Sequence, residues 1–330
     1  MTIVVILIII ALVFDFYNGM NDAANSIATV VSTRVLSPLQ GVAWAAFFNF
    51  ISAFIFGVHV ANTIGKGIVD PHIVNNTVIF SALVGAIILT ATATHNGLPI
   101  SVSHAIIGGF AGAGVSKAGL SALVISGIIK VAIFIFLSPL IGFVLGLVIS
   151  IITLWIVKNR PPRKVDKVFR RLQLISAAAY SMGHGTNDAQ KTMGIITALL
   201  FSNGLLKEFH VPFWVIISCH IAIALGTLSG GWKVIRTLGM RVTKLRPFHG
   251  FSAEFSAALT LFGASSFGIP VSTTHTITGS IIGVGSIQNF SAVKWGIAKN
   301  IVLAWILTIP LSALFAGITF FIVRFFESSF

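Results

Sequence analysis

The sequence predicts an all-α fold: a polytopic membrane helical bundle of about ten spans, some of them discontinuous or re-entrant, built as two inverted-topology repeats. The first observation is composition. Of the 330 residues, 56% are hydrophobic and 9% are charged, whereas about a quarter of the residues of a soluble domain are charged. The second is that the apolar residues form runs long enough to cross a bilayer. The third is that two polar motifs occur once in each half of the chain.

The apolar runs define the predicted organisation. We predict an N-terminal repeat over 1–157, a basic connector over 158–171 and a C-terminal repeat over 172–330. The predicted spans lie near residues 1–30, 38–58, 73–94, 97–116, 121–157, 172–200, 212–232, 249–266, 268–290 and 295–326.

Two motifs carry the evidence for the repeat. Asn18-Gly-Met-Asn-Asp-Ala23 recurs as His184-Gly-Thr-Asn-Asp-Ala189, and Gly97-Leu-Pro-Ile-Ser-Val-Ser-His104 recurs as Gly268-Ile-Pro-Val-Ser-Thr-Thr-His275. The motifs keep the same order in both halves, so a chance repeat is improbable.

Charge distribution predicts the orientation. An odd number of spans in each repeat makes the second repeat enter the membrane from the opposite side. Much of the net charge of +13 comes from the connector 158–171 and from the segment 233–246, as expected of cytoplasmic loops. We therefore predict a cell-membrane protein with the N-terminus outside and the connector in the cytoplasm. Because the basic residues lie in loops and not on one domain face, nucleic acid is not a predicted partner.

Acidic residues inside apolar runs indicate a functional site, because an ionised side chain in a membrane needs a partner or a water-filled cavity. The repeated Asn-Asp pairs predict cation binding by Asn21, Asp22, Asn187 and Asp188. Glycine and asparagine around both pairs predict an unwound stretch whose backbone lines a cavity. Such oxygen-rich ligands favour Na⁺, although a proton would need only one carboxylate of raised pKa.

The second motif predicts an oxyanion site, because proline in a first turn followed by hydroxyl residues is typical of a helix N-terminus. Lys191 stands where the first copy has Asn25, and it could neutralise Asp188 or hold the oxyanion. The predicted anion-binding residues are Asp22, Asn25, Ser101, Ser103, Asp188, Lys191, Ser272, Thr273 and Thr274.

The segments FDFYNGMNDAANSIATVVSTRVLSP, SMGHGTNDAQKTMGII and GIPVSTTHTITGSIIGVG resemble the duplicated signatures of the inorganic phosphate transporter (PiT) family, in its prokaryotic type. The resemblance covers essentially the whole chain. It implies symport of phosphate with Na⁺ or H⁺, an inverted-repeat bundle and a homodimer. It also implies that Asn21, Asp22, Asn25, Asn187, Asp188 and Lys191 form the site together with the hydroxyl segments.

Two other functions remain open at this stage. A carrier of sulfate or another oxyanion would use the same residue types, and an anion channel would also be lined by polar half-helices. An enzyme is excluded as the main function, because no nucleophile and base arrangement or phosphate-binding loop is recognisable. No cofactor is expected apart from the coupling ion.

Overall fold

The computed structural model describes residues 1–55, 57–241, 245–287 and 293–328. Across these residues the chain forms twelve α-helices, which confirms the all-α prediction. The helices are α1 Thr2–Ser32, α2 Pro38–Ile51, α3 His59–Gly67, α4 Asn76–Asn96, α5 Val102–Ala118, α6 Ile125–Val157, α7 Pro162–Ser202, α8 Phe213–Ser229, α9 Trp232–Arg241, α10 Pro247–Ser266, α11 Thr273–Ser286 and α12 Trp295–Ser328.

Several of these helices are built to cross a membrane. Of the described helices, α1, α4, α6 and α12 are long and apolar enough to span, and the bent pairs α2/α3 and α8/α9 raise the number to six. The second pair bends by 76°. Helix α11 has 14 residues, which extend about 21 Å and fall short of a hydrocarbon core of about 30 Å. The discontinuous helices are therefore present, whereas the count of ten spans stays a prediction.

The helix-breaking prediction at the Asn-Asp pairs is wrong. Helices α1 and α7 run without interruption through Asp22 and Asp188. Glycine costs a helix only about 1 kcal/mol per residue, and here glycine allows close packing: a Cβ on Gly19 would collide with the backbone of Ile223 in α8. The chain instead leaves the helical path between α4 and α5 and between α10 and α11, where Gly97 and Gly268 adopt φ values of 71° and 63°.

The two halves make matching contacts. Helix α5 of the first half packs against α12 of the second half, and α11 of the second half packs against α6 of the first. Each half therefore covers a short helix of the other. In the same way α1 packs against α8, and α7 packs against α2. The connector is shorter than predicted, because α7 already begins at Pro162 and its first turns contain most of the basic residues of 158–171.

Helices α1 and α7, which carry the Asn-Asp pairs, pack antiparallel. The Arg170 guanidinium donates to the Arg34 carbonyl, and Thr33 Oγ1 donates to Gln173 Oε1 at 2.9 Å. Farther along, Asp22 lies beside Asp188. Residue numbers decrease along α1 in the direction in which they increase along α7, as an inverted repeat requires. The inverted topology itself stays a prediction.

The ends of the bundle differ in charge. Near the C-terminal end of α1, Ser32 lines a pocket with Lys233 and Arg236, and Lys233 Nζ donates to the His95 carbonyl at 2.8 Å. Contacts elsewhere on the surface involve neutral and acidic side chains instead: Asn76 with Asn203, and Thr77 with Glu327. The basic segments thus gather around the C-terminal end of α1.

The outer surface is apolar where α6 and α12 face away from the core. Large side chains such as Phe136, Trp155 and Phe321 are exposed by 72%, 67% and 60%. Water would not tolerate a contiguous surface of this kind, whereas lipid would. On their inner sides these helices meet glycines: a Cβ on Gly108 would collide with the α12 backbone at Ile309.

The grouping of basic residues generates a topology prediction. In a Cys219→Ala background, cysteines at Lys164 and Arg236 should be labelled by a membrane-impermeant maleimide from the cytoplasmic side only. Cysteines at Lys66 and Lys207 should be labelled from outside only. All four wild-type side chains are exposed, so poor accessibility does not explain a negative result. Labelling of Lys164→Cys and Arg236→Cys from opposite faces would contradict the predicted orientation.

Candidate functional site

Two buried carboxylates form the centre of the candidate site. Asp22 of α1 and Asp188 of α7 are 1% and 0% exposed. The Thr273 hydroxyl lies between them, 3.1 Å from Asp22 Oδ2 and 3.1 Å from Asp188 Oδ2. Burying two like charges together is costly unless other groups compensate them. We call the following residues the central cluster: Asp22, Asn25, Ser103, His184, Asp188, Lys191, Thr273 and Thr274.

The hydroxyl residues come from the N-termini of α5 and α11, which meet at the carboxylates. Thr274 Oγ1 lies 3.2 Å from Asp22 Oδ1 and 3.1 Å from the Ile100 carbonyl oxygen. Ser103 Oγ lies 3.4 Å from the Val271 carbonyl oxygen. Each helix therefore contacts the segment that precedes the other. The structure brings Ser103, Thr273 and Thr274 together, and both copies of the motif contribute to the same place.

Ser101 and Ser272 are the N-cap residues of α5 and α11. Each Oγ accepts a hydrogen bond of 3.2 Å from the backbone N–H of His104 or His275. An N-cap satisfies one of the orphan amide groups at the start of a helix. These two serines stabilise the first turns of α5 and α11, and their part in anion binding stays a prediction.

Asn25 and Lys191 occupy equivalent places on α1 and α7 with different partners. Asn25 Nδ2 donates to Thr274 Oγ1 at 2.9 Å. Lys191 Nζ donates to Asp188 Oδ1, to Ser103 Oγ and to the Val271 carbonyl, the last at 3.0 Å. The ammonium group is 1% exposed and directly compensates Asp188.

Asn21 and Asn187 flank the cluster in the same way. Asn21 Nδ2 donates to Thr94 Oγ1 at 2.8 Å, and Asn187 Nδ2 donates to Ser265 Oγ at 3.0 Å. Within the described part of the chain, the Oδ1 atoms of both asparagines are buried without a hydrogen-bond partner. Such oxygens cost free energy unless something binds them, so they are available as ligands.

His184 is the cluster residue that the sequence prediction missed. Its Nε2 lies 3.3 Å from Asp188 Oδ2 and 3.7 Å from Asp22 Oδ2, and its Nδ1 lies 3.2 Å from Asn49 Oδ1. Ligand atoms of Asp22, His184 and Asp188 lie within 4.8 Å of one another. The signal was available, because His184 precedes Asp188 by one helical turn and stands where the first copy has Asn18.

The other buried acids lie outside the cluster. Glu254 accepts hydrogen bonds from Thr29 (2.5 Å), Gln173 (3.0 Å) and Ser176 (2.5 Å), so α10 is tied to α1 and α7. Asp15 is also fully buried, and its Oδ1 lies 3.5 Å from Asn18 Nδ2. The contacts of Glu254 give it a structural role in joining three helices.

The arrangement combines hydroxyl and amide donors, two carboxylates, one ammonium and unpartnered oxygens in a sealed space. The donors suit a small oxyanion, and the oxygens suit a hard cation. Every cluster residue is at most 3% exposed, so a ligand reaches the site only when the helices move.

The comparisons with known proteins agree with this chemistry. A family model described as "Phosphate transporter family" matches residues 18–316. A protein of Rhizobium meliloti (strain 1021) described as "Probable low-affinity inorganic phosphate transporter" is 57% identical over 96% of this chain and 95% of its own length. A protein of Bacillus subtilis (strain 168) with the same description is 45% identical over 97% of each chain.

A solved structure has the same fold. That protein, described as "The sodium-dependent phosphate transporter", matches with a TM-score of 0.89 and is 29% identical in sequence. The match covers 98% of this chain and 100% of that one. The helical arrangement described above is therefore shared over the full length of both proteins.

The pairing of charges in the cluster generates a stability prediction. Asp188→Asn leaves the buried Lys191 ammonium without its counter-ion, and breaking a buried pair costs about 3–5 kcal/mol. Asp22→Asn breaks no lysine pair and should cost less. The combined Asp188→Asn and Lys191→Met variant should recover much of the loss. Denaturation midpoints in detergent measure all three, and equal loss in the two single variants would contradict this account.

Proposed function

This chain is a member of the phosphate transporter family, and we propose that it carries inorganic phosphate across the cell membrane together with Na⁺ by alternating access. Members of the family are transporters, not enzymes. The observation that carries the proposal is the meeting of both Asn-Asp pairs with the N-termini of α5 and α11 at one buried point. Phosphate and the cation are both cargo at this site.

Phosphate would bind through the donors of the cluster. The hydroxyls of Thr273 and Thr274 donate to the carboxylates, the Asn25 amide donates to Thr274 Oγ1, and Ser103 Oγ accepts from Lys191. The N-termini of α5 and α11 add a favourable dipole. A protonated phosphate also offers an O–H that Asp22 or Asp188 accepts. Sulfate near neutral pH has no such donor, so the two acids favour phosphate over sulfate.

Sodium would bind where oxygen atoms have no hydrogen-bond donor. The Oδ1 atoms of Asn21 and Asn187 are such oxygens, and the Asp22 and Asp188 carboxylates lie next to them in sequence on the same helices. Hard cations prefer carboxylate and amide oxygens. The solved relative is itself described as sodium-dependent. A proton is the second candidate, favoured by His184 between the two carboxylates.

Alternating access accounts for the sealed site. The bends in α2/α3 and α8/α9 divide these helices into segments that can tilt separately, and discontinuous helices around a central site are typical of secondary transporters. One set of helices would rock against the rest and open the cluster to one side at a time. A channel would need a continuous path, for which the burial of the cluster gives no support. The outside N-terminus, the cytoplasmic connector and the homodimer are parts of the proposal that follow from the charge pattern and the resemblance.

Coupling can be measured by phosphate uptake into proteoliposomes. Under a Na⁺ gradient without a pH gradient we expect accumulation of labelled phosphate, and under a pH gradient alone we expect little. Asp22→Asn removes a charge but keeps the shape, so it should reduce Na⁺-driven uptake by about tenfold or more. Asp166→Asn, an exposed acid in the first turns of α7, is the matched control and should transport normally. Accumulation driven by the pH gradient alone would leave proton symport as the mechanism.

Anion selectivity follows from the proton that phosphate donates to a carboxylate. Arsenate has a protonated form near neutral pH, so it should compete with labelled phosphate with similar potency. Sulfate should compete at least about tenfold more weakly, since losing one hydrogen bond to a charged group costs about 1.5–3 kcal/mol. Equal inhibition by sulfate and arsenate would show that the substrate is a different or broader class of oxyanion.

A further inference from the structure

Lys191 is surrounded by oxygen atoms in the manner of a bound cation. Its ammonium has three N–H donors, and three protein oxygens accept them: Asp188 Oδ1, Ser103 Oγ and the Val271 carbonyl. No donor of Lys191 is then left for an anion in this arrangement. The side chain therefore fills an oxygen cage and does not extend a hydrogen bond toward phosphate.

The N-terminal half has the equivalent three oxygen atoms without a lysine among them. By the motif offsets, Asp22 corresponds to Asp188, Thr274 to Ser103 and Ile100 to Val271. Thr274 Oγ1 lies 3.2 Å from Asp22 Oδ1 and 3.1 Å from the Ile100 carbonyl oxygen. The two sets thus contain the same ligand types: a carboxylate, a hydroxyl and a backbone carbonyl. At the position of Lys191 this half has Asn25, which is neutral.

We propose that Lys191 is a resident cation, which permanently fills one of two equivalent cation positions and leaves only the position at Asp22 for a mobile ion. The inference rests on the proposed function, because it concerns how many coupling ions the same site takes. An ammonium and Na⁺ have the same charge, and both bind carboxylate, hydroxyl and carbonyl oxygens. A covalently attached ammonium cannot be exchanged, so it compensates Asp188 throughout the cycle without using a gradient.

The consequence is a lower number of coupling ions. With Asp188 already compensated, one mobile cation at Asp22 neutralises the remaining carboxylate before phosphate enters. A chain in which both positions are open needs two mobile cations for the same compensation. Lys191 therefore sets the number of cations that move with each phosphate. A lower number limits the phosphate gradient that the transporter can build, and it uses less of the ion gradient for each phosphate.

Lys191→Asn tests the inference, because it gives the second half the residue that the first half has at Asn25. We expect the variant to bind about one more Na⁺ per chain than the wild type, measured with ²²Na⁺ on the full-length protein in detergent. The Na⁺ dependence of ³²P-phosphate binding should become steeper, and replacing choline by Na⁺ should tighten phosphate binding about tenfold more than in the wild type. The reciprocal variant Asn25→Lys should bind about one Na⁺ fewer.

The outcomes separate the two proposals. A folded Lys191→Asn protein that binds as many Na⁺ ions as the wild type overturns the resident-cation inference. So does a variant that stays unfolded even in saturating NaCl at matched ionic strength, because an emptied cage should be refilled and stabilised by Na⁺. If the wild type binds no Na⁺ but Lys191→Asn gains one ion, the sodium assignment of the proposed function fails and the inference about Lys191 stands.

Discussion

Two carboxylates of like charge, Asp22 and Asp188, lie buried side by side, and the rest of the structure depends on their compensation. One hydroxyl, from Thr273, contacts both of them. Lys191 compensates Asp188 directly, whereas Asp22 receives only hydroxyl contacts and the neighbouring His184 ring. Asp22 therefore lacks the direct ammonium contact that Asp188 has, and a buried carboxylate without such a contact attracts a cation.

The fold supplies the means to hold this charge. Asp22 and Asp188 lie on α1 and α7, which run in opposite directions, and the hydroxyl residues lie at the N-termini of α5 and α11. Ser101 and Ser272 each satisfy one backbone amide at the start of these helices, and Thr273 and Thr274 in the first turn of α11 contact the acids. The glycines of the close helix contacts bring the backbones near enough for short polar side chains to meet. Lipid-facing α6 and α12 then seal the assembly.

Much of this was predictable from the sequence, since a duplicated motif must be used twice in one molecule. Repetition identified Asn21, Asp22, Asn187 and Asp188, and the hydroxyl motif identified Ser103, Thr273 and Thr274. The prediction that the Asn-Asp segments are unwound rested on local helix propensity and was wrong. Packing against neighbouring helices outweighs a cost of about 1 kcal/mol per glycine. His184 was missed although it lies one helical turn before Asp188, because its contact with Asp22 depends on the antiparallel approach of α1 to α7. Helix α11 is shorter than the apolar run that contains it, because sequence hydrophobicity does not show where a helix begins within such a run.

The central claim is that the oxyanion binds between the two Asn-Asp helices at the central cluster. The most direct test is an experimental structure with arsenate in Na⁺, in which anomalous scattering locates the arsenic atom. We predict a single strong peak within hydrogen-bonding reach of Ser103, Thr273 and Thr274, between Asp22 and Asp188. A peak at the basic residues near the C-terminal end of α1, with none at the cluster, would contradict the account.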